Sequence, residues 1–461
     1  MNAFSRAAWA LAVAAPCLAH ADPATDLQSL RDEVSRMRAD YEARIHALEQ
    51  RLQAAEAAQA AAPQPAAAAP APAPAPQLAA APAAPVSGTG FNPALSLILS
   101  GTYNRTSKNP DTYRIRGIPL PSDAENGPGG SGFSLAESEL GIAANIDPWF
   151  SGAANISFLP DNSVEIEEAY VQTTGLGHGL TLKGGRFYSA IGYLNSQHSH
   201  TWDFVDAPLA YQAFLGTQFN DDGVQLAWLA PTDQFVELRG ELGRGRGYPG
   251  SDTNRNGAGS AALALHTGGD VGDSHSWRAG LSLLHTQATG QSLSAVDSSG
   301  ATVGNEFTGS TRTWVADFVW KWAPDGNPVY RNFKLQGEYL QNTRDGSLTY
   351  DVSGLGSTDA YRAVQSGWYL QGVYQFMPRW RVGLRTERVD GGSPSYGANA
   401  AYLAVDEGTA RKNTVMVDYN LSEFSRLRLQ VARDLARPDG PDNQLWIQYQ
   451  MSLGAHGAHS F

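Results

Sequence analysis

The feature that most limits how this chain can fold is an alternation of apolar and polar side chains with a period of two, which recurs from residue 91 to residue 461. In the last of these runs, Ile447 and Tyr449 alternate with Gln448 and Gln450. Such alternation gives a β-strand one apolar and one polar face. The pattern predicts an all-β fold of sixteen strands, at 93–104, 133–146, 149–158, 164–173, 180–189, 222–229, 234–242, 260–267, 275–285, 311–322, 330–342, 364–376, 379–388, 411–421, 425–434 and 443–453.

Two architectures satisfy this alternation, because the apolar face can point to a protein core, as in a soluble sandwich, or to lipid, as in a membrane barrel. The connections favour the barrel. They are long after runs one, five, seven, nine, eleven and thirteen, and tight at Asp147-Pro148 and Met377-Pro378. Long and short loops on opposite rims are typical of bacterial barrels, and the terminal Phe461 resembles their assembly signal. We therefore predict a 16-stranded antiparallel transmembrane β-barrel over residues 91–461.

The first 90 residues divide into three segments. Residues 1–21 read as a signal peptide with an Ala-x-Ala cleavage site, although a lipoprotein signal that uses Cys17 is the alternative. Residues 22–56 show heptad spacing, which predicts a periplasmic coiled coil and a homotrimer, the alternative being a solitary solvated helix. Residues 57–90 are rich in Ala and Pro and would form a semi-rigid linker. The coiled coil could contact peptidoglycan.

Composition excludes several classes of function. The net charge of −12 argues against a nucleic-acid partner, and the absence of any run of 18 apolar residues excludes a bundle of transmembrane helices. Cys17, in the signal peptide, is the single cysteine, so thiol catalysis and cysteine-ligated zinc are excluded. No nucleophile-elbow, zinc-protease or P-loop motif occurs, so we expect no enzyme, although a triad assembled from scattered residues is the alternative.

The polar faces of the strands would line a wet lumen. Basic residues fall on one group of strands, at Arg381, Arg385, Arg426 and Arg428, together with Lys412. Acidic residues fall on another, at Glu137, Glu139, Glu165 and Glu167. Opposed walls of this kind would orient charged or dipolar solutes. The alternative is that these charges are ordinary solvated lumen residues that compensate one another.

The third long connection, residues 190–221, is the strongest candidate for a functional loop. It carries His198, His200, Asp203 and Asp206, which would line a constriction if the loop folds inward. Two histidines one residue apart, followed by acids, could ligate a divalent metal such as zinc through imidazole and carboxylate. The alternative is a hydrogen-bonded structural role. No other cofactor is expected.

Three stretches carry a resemblance to a known family. They are residues 183–192 (KGGRFYSAIG), 202–209 (WDFVDAPL) and 222–226 (DGVQL). Here the chain resembles the phosphate-selective porin O and P family, and its N-terminal helix and linker look like a subset described as zinc-regulated outer-membrane receptors or siderophore porins. The resemblance implies a sixteen-stranded outer-membrane barrel with an inward third loop. It does not extend to phosphate selectivity, because no lysine or arginine lies between Tyr188 and Asp222.

Taken together, the sequence predicts an outer-membrane porin-type channel for passive or facilitated uptake of small hydrophilic solutes. The first alternative is a plug-free receptor or channel for metal ions such as zinc, or for metal chelates such as siderophores. A structural envelope-tethering protein with a closed lumen is a third hypothesis. Residues 91–461 hold 27 basic and 37 acidic residues, which predicts a weak preference for cations.

Overall fold

The structure is a computed structural model that describes residues 93–121, 126–251, 257–403, 406 and 408–454. The predicted signal peptide, coiled coil and linker lie outside the described residues, as does Phe461. Within the described ranges, no helix is long and apolar enough to cross a membrane.

Most of the described residues are in β-strands. The strands are β1 (Ala94–Thr106), β2 (Leu120–Pro121), β3 (Gly132–Leu135), β4 (Ser138–Asn145), β5 (Phe150–Phe158), β6 (Val164–Thr173), β7 (Leu180–Tyr188), β8 (Asn220–Leu229), β9 (Phe235–Gly243), β10 (Ser260–Val271), β11 (His275–Val296), β12 (Thr302–Trp322), β13 (Asn332–Tyr350), β14 (Ser357–Met377), β15 (Trp380–Asp390), β16 (Thr409–Ser422), β17 (Ser425–Asp434) and β18 (Asp442–Gly454). The helical elements are α1 (Leu209–Leu215) and 3₁₀ turns at Pro110–Thr112, Ser199–Thr201, Pro324–Gly326 and Gly397–Ala401.

The strands form one closed antiparallel sheet. From β4 to β18, each strand pairs with the next in the chain, and β1 pairs with both β18 and β4. β3 and β4 pair with successive parts of β1, so together they make one barrel strand. The two-residue β2 pairs with β11 from within the first long connection. The ring that the described residues form therefore has sixteen barrel strands, which confirms the predicted architecture.

The barrel is apolar outside and polar inside. On β17, Arg428 is 1% exposed and Gln430 is fully buried, whereas Leu429 between them is 47% exposed. On β15, Leu384 is 61% exposed and the adjacent Arg385 is 3% exposed. Burying charges while leaving leucines in water would be costly, so this arrangement is stable only when lipid covers the outer face. The alternation is therefore that of a membrane-spanning barrel and not of a soluble sandwich.

The long connections lie on one rim, as the sequence predicts, together with shorter ones at 159–163 and 435–441. The connections after β4, β6, β8, β10, β14 and β16 are short, and two of them, after β14 and β16, are tight two-residue turns. The other rim carries long connections at residues 107–131, 189–219, 244–259 and 391–408. β1 begins and β18 ends at the rim that carries the short turns.

The prediction of long connections is wrong at two places. Residues 286–310 and 343–363 mostly extend the strands β11 to β14, and the actual turns cover only 297–301 and 351–356. β11 has 22 residues and would be about 70 Å long, far more than a tilted strand needs to cross an apolar belt of about 25 Å. These four strands therefore project beyond the membrane.

The sequence pattern did not predict these extended parts of the strands because the apolar and polar faces exchange sides along the strand. On β13 the inward residues change from Glu338 to Leu348, and the outward residues change from Tyr339 to Ser347. Past the membrane, the outer face meets water and the inner face packs as a protein core. That core contains Leu348 and the side chains Leu293, Phe307, Tyr350, Tyr361 and Tyr396.

We expect Leu384→Arg to destabilise the barrel, because it would place a charge on the lipid-facing belt. The predicted loss is about 2–4 kcal/mol if Leu384 lies near the bilayer midplane. Leu355→Arg, at an exposed position in the turn 351–356, is the matched control and should cost less than about 0.5 kcal/mol. Guanidinium unfolding in lipid vesicles measures both. Equal stability of the two variants would contradict the proposed belt.

Candidate functional site in the barrel interior

The connection 189–219 lies inside the barrel. All seven residues of α1 are buried, and the helix packs against β13, β14 and β15. The helix ends at Gly216, which adopts the left-handed conformation that glycine enters without strain. The connection therefore occupies part of the space that the strands enclose, as the sequence predicts.

Asn195 ties the two ends of this connection together. Its side-chain amide donates to the backbone oxygens of Ser189 at 2.8 Å and Phe219 at 2.9 Å. Its side-chain oxygen accepts from the backbone N–H of Phe219 at 2.8 Å. Because Asn195 is fully buried, these bonds fix the geometry at the base of the loop.

Glu338 on β13 holds the loop from the barrel wall. It accepts hydrogen bonds from the backbone N–H groups of Tyr193 at 3.1 Å and Leu194 at 2.9 Å. It also accepts from the hydroxyls of Tyr211 at 2.8 Å and Tyr369 at 2.6 Å. Four donors satisfy a buried carboxylate and join the loop to β13 and β14.

Six side chains meet where the loop approaches β4 and β6. We refer to them as the carboxylate–imidazole cluster, which comprises Glu137, Glu139, Glu167, Glu168, His198 and His200. The Nδ1 atom of His198 lies 2.9 Å from Oε2 of Glu167 and 3.2 Å from Oε2 of Glu139. Its Nε2 atom lies 3.0 Å from Oε2 of Glu168.

The remaining contacts of the cluster join its two halves. Nδ1 of His200 lies 2.9 Å from Oε2 of Glu139, and the two imidazole rings stack with centroids 5.7 Å apart. The hydroxyl of Ser199 donates to Oε1 of Glu137 at 2.7 Å. The segment from His198 to His200 therefore contacts the acidic wall through three consecutive side chains.

A β-bulge explains why two consecutive glutamates belong to this cluster. Asn155 on β5 pairs with Glu168, whereas the next residue, Ile156, pairs with Ile166, so Glu167 is the extra residue. A bulge interrupts the strict alternation of side chains. Glu167 and Glu168 consequently both reach His198.

The protonation of His198 is set by its carboxylate neighbours. Burial alone would lower the pKa of this imidazole, but hydrogen bonds with Glu139, Glu167 and Glu168 outweigh burial and hold the pKa well above its usual value.

The second half of the loop is held by a loop-anchoring network, which comprises Asp203, Asp206, Lys334, Arg381, Arg385, Glu387, Lys412, Asp418, Arg428 and Gln430. Asp206 accepts from Arg385 at 2.9 Å, from Lys412 at 2.6 Å and from Gln430 at 2.7 Å. Each of these side chains is almost fully buried. Asp206 is therefore the carboxylate partner that two buried cations share.

Asp203 makes the equivalent contacts nearer the short turns. It pairs with Lys334 and, at 3.2 Å, with Arg381. Burial alone would raise the pKa of Asp203, but these two cations outweigh burial and lower the pKa to about 2. In the same way, Arg385 and Lys412 lower the pKa of Asp206 below its usual value.

The arginines that the sequence places in the lumen contact the loop directly. Arg428 forms two hydrogen bonds with Asp418, at 2.7 and 3.0 Å, and donates to the backbone oxygen of Trp202 at 3.0 Å. Arg426 donates to the backbone oxygen of His200 at 3.2 Å and to the side chain of Gln450 at 2.8 Å.

The structure groups the predicted site residues differently from the sequence analysis. Glu137 and Glu139 lie beside His198 and His200. Asp203 and Asp206, which the sequence analysis groups with the histidines, instead contact the basic wall formed by Arg381, Arg385, Arg426 and Arg428 and its lysine neighbours.

The sequence analysis did not identify several residues of the site. Glu387 and Asp418 have the inward parity of predicted strands, so the alternation could have found them. Glu168 could not be found in this way, because its inward direction depends on the bulge. Lys334 and Glu338 share the inward parity of β13 and carried no motif that singled them out.

A cavity of about 1230 Å³ opens beside the loop. Its lining combines the connection 107–131, the inward face of β18 and the loop itself, with Tyr113, Glu137, His200, Trp446 and Gln450 among the residues exposed to it. One edge of the carboxylate–imidazole cluster is therefore reachable from this cavity.

Comparison with known proteins gives a sequence relative and several solved structures of outer-membrane proteins. No family model matches the chain. An uncharacterized protein of Aquifex aeolicus is 29% identical over 411 residues, which cover 84% of this chain and 83% of that protein. Outer-membrane expressed OmpT of Vibrio cholerae aligns with a TM-score of 0.47 at 9% identity, over 80% of this chain and 99% of that one. The outer-membrane channel DcaP of Acinetobacter baumannii aligns with a TM-score of 0.47 at 12% identity, over 79% and 98%. The barrel assignment rests on the strand pairing described above.

We expect Asp206→Ala to destabilise the protein by about 1.5–3 kcal/mol, because the buried cations Arg385 and Lys412 would lose a shared partner while keeping Glu387 and Asp434. Asp345→Ala is the matched control, since Asp345 pairs with Arg362 at 3.4 Å on the exposed surface. It should cost less than about 1 kcal/mol. Guanidinium unfolding in vesicles measures both, and equal losses would contradict the role of the network.

Acidification should release the loop. An aspartate with a lowered pKa stabilises the fold above its unfolded pKa of about 3.9 and loses this contribution as the pH falls through its folded pKa. For Asp203, we therefore expect the loop to stay anchored at pH 4 and to loosen as the pH approaches about 2. Hydrogen exchange of residues 189–219, corrected for intrinsic rates, measures this. Asp203→Asn should exchange faster than the native chain at pH 7, and a loop that is already loose at pH 4 would refute the prediction.

Proposed function

We propose that this protein is an outer-membrane porin-type channel for the passive or facilitated uptake of small hydrophilic solutes. The observation that carries the proposal is the closed barrel, which has an apolar outer belt and a charged interior. The interior contains a large cavity beside the loop. A passage for polar solutes through a bilayer needs this distribution of side chains. The resemblance to the phosphate-selective porin O and P family stays a prediction.

The placement in a bacterial outer membrane is supported by the two rims. Tight turns on one rim and long connections on the other are typical of barrels in that membrane, with the tight turns in the periplasm. Because β1 begins at the rim of the tight turns, the predicted linker and coiled coil, which precede it, would lie in the periplasm. There they could join three copies of the chain or contact peptidoglycan.

We further propose that the connection 189–219 narrows the channel. It is bonded to β6 through His198 and to β13 through Tyr193, and these strands lie on opposite sides of the ring. A segment attached to both walls would leave solutes only the space beside it. The predicted excess of acidic residues would make that space weakly favourable for cations.

A second candidate function is a receptor or channel for metal ions or metal chelates. One observation favours it, which is that the carboxylates of Glu139 and Glu167 meet the imidazole of His198. Uptake of a radioactive divalent metal into vesicles that contain the protein tests this function, and uptake equal to that of empty vesicles would exclude it.

Planar bilayer recording tests the channel. We expect stepwise conductance with a reversal potential that favours cations. The position of the loop is tested with Ser196→Cys, since Ser196 is exposed within the loop and the mature chain is predicted to have no other cysteine. A bulky methanethiosulfonate reagent should lower the conductance of this variant by about twofold or more if the loop borders the narrow part of the passage.

The control is Leu355→Cys, in the exposed turn 351–356, where the same reagent should leave the conductance unchanged. Equal effects on both variants would refute the narrowing. Absence of conductance would refute the channel and favour the structural tether, and an anion-favouring reversal potential would refute the predicted selectivity.

A further inference from the structure

We propose that the carboxylate–imidazole cluster is a binding site for one divalent transition-metal ion, with Oε2 of Glu139, Oε2 of Glu167 and Nδ1 of His198 as ligands. This ligand set differs from the one that the sequence suggests, because Asp203 and Asp206 are held by the basic wall. The inference deepens the second candidate function, but metal binding can be measured whether or not the protein transports metal.

The first argument is geometric. The three ligand atoms all lie within 4.8 Å of one another, and Nδ1 of His198 is 2.9 and 3.2 Å from the two carboxylate oxygens. Ligand atoms about 2.0–2.2 Å from a metal ion lie roughly 3 Å apart around it. The side chains therefore need only small shifts to accept an ion.

The second argument is the charge of the cluster. Four glutamates surround two histidines in this cluster. Among the described residues, the ion pairs of Glu139, Glu167 and Glu168 run to the histidines, and Glu137 accepts a hydrogen bond from Ser199. Glu139 and Glu167 are 5 and 6% exposed. Carboxyl groups therefore outnumber imidazoles two to one in a buried place, where a divalent cation would be a favourable partner.

The third argument is the support behind His198. Its other ring nitrogen, Nε2, lies 3.0 Å from Oε2 of Glu168. Histidines that ligate metals commonly donate their second N–H to a carboxylate, which fixes the tautomer and orients the ring. Glu168, which the β-bulge turns inward, occupies the position of that carboxylate.

The surroundings also provide a route and a further ligand position. Glu137, Ser199 and His200 line the cavity, so an ion or a water molecule can reach the cluster from that side. His200 contacts Glu139 at 2.9 Å and is the nearest additional imidazole. A site with two carboxylates and at least one imidazole suits zinc or manganese better than calcium or magnesium, which prefer ligand sets made of oxygen.

The test uses the mature full-length chain in detergent, with zinc as the probe in titration calorimetry and with metal content measured after gel filtration. We expect one zinc ion per chain, retained in the presence of excess magnesium. His198→Ala should weaken the affinity at least about 100-fold, and Glu168→Gln, behind the ring, about 10- to 100-fold. Glu165→Gln is the matched control, since Glu165 is exposed on the same strand, and it should bind as the native chain does.

Glu167→Gln keeps the test informative if His198→Ala fails to fold, and it should also weaken binding. Cobalt provides a second readout, because bound Co²⁺ should give visible absorption bands that are lost in Glu167→Gln. Absence of saturable zinc binding, or an affinity unchanged in both variants, would overturn the site. Zinc binding without bilayer conductance would refute the channel but support the metal site. Conductance without zinc binding would support the channel but refute the metal site.

Discussion

The constraint on which the rest of this structure depends is that lipid provides no hydrogen-bonding partner for a polypeptide backbone. A sheet that crosses a bilayer must therefore close on itself, and the pairing of β1 with β18 achieves this. Closure turns the polar face of every strand inward. Charged residues that a soluble protein would place in water, such as Arg385 and Arg428, are consequently enclosed and must find partners inside the ring.

The inward loop provides those partners. Asp203 and Asp206 come from the connection 189–219, and each forms ion pairs with two cations that project from the wall. The opposite wall, with an excess of glutamates, receives His198 and His200 from the same loop. The loop thus carries carboxylates to the basic wall and imidazoles to the acidic wall, and this complementarity holds it across the interior. The proposed narrowing and the proposed metal site both derive from that arrangement.

Much of this could be predicted from the chain alone. All sixteen barrel strands and the rim of long connections follow from alternation and turn residues, whereas the inward direction of the third long connection was only implied by the family resemblance. Two failures have physical causes. The extensions of β11 to β14 were missed because their alternation inverts where lipid gives way to water, as at Tyr339 and Ser347 on β13. Glu168 was missed because a bulge, which leaves no mark in the sequence, changes the direction of its side chain.

The sequence by itself determined that the chain forms strands with one apolar and one polar face, because an alternation with a period of two depends only on neighbouring residues. The lengths of the connections then favoured a barrel. The sequence also determined which residues face inward along each regular strand. Only the tertiary structure decided which of these residues meet. Partners such as Asp206 and Lys412 are 206 positions apart in the chain, and the closure of the ring and the path of the loop bring them together. That is why Asp203 and Asp206 belong with the basic wall and His198 belongs with Glu139 and Glu167.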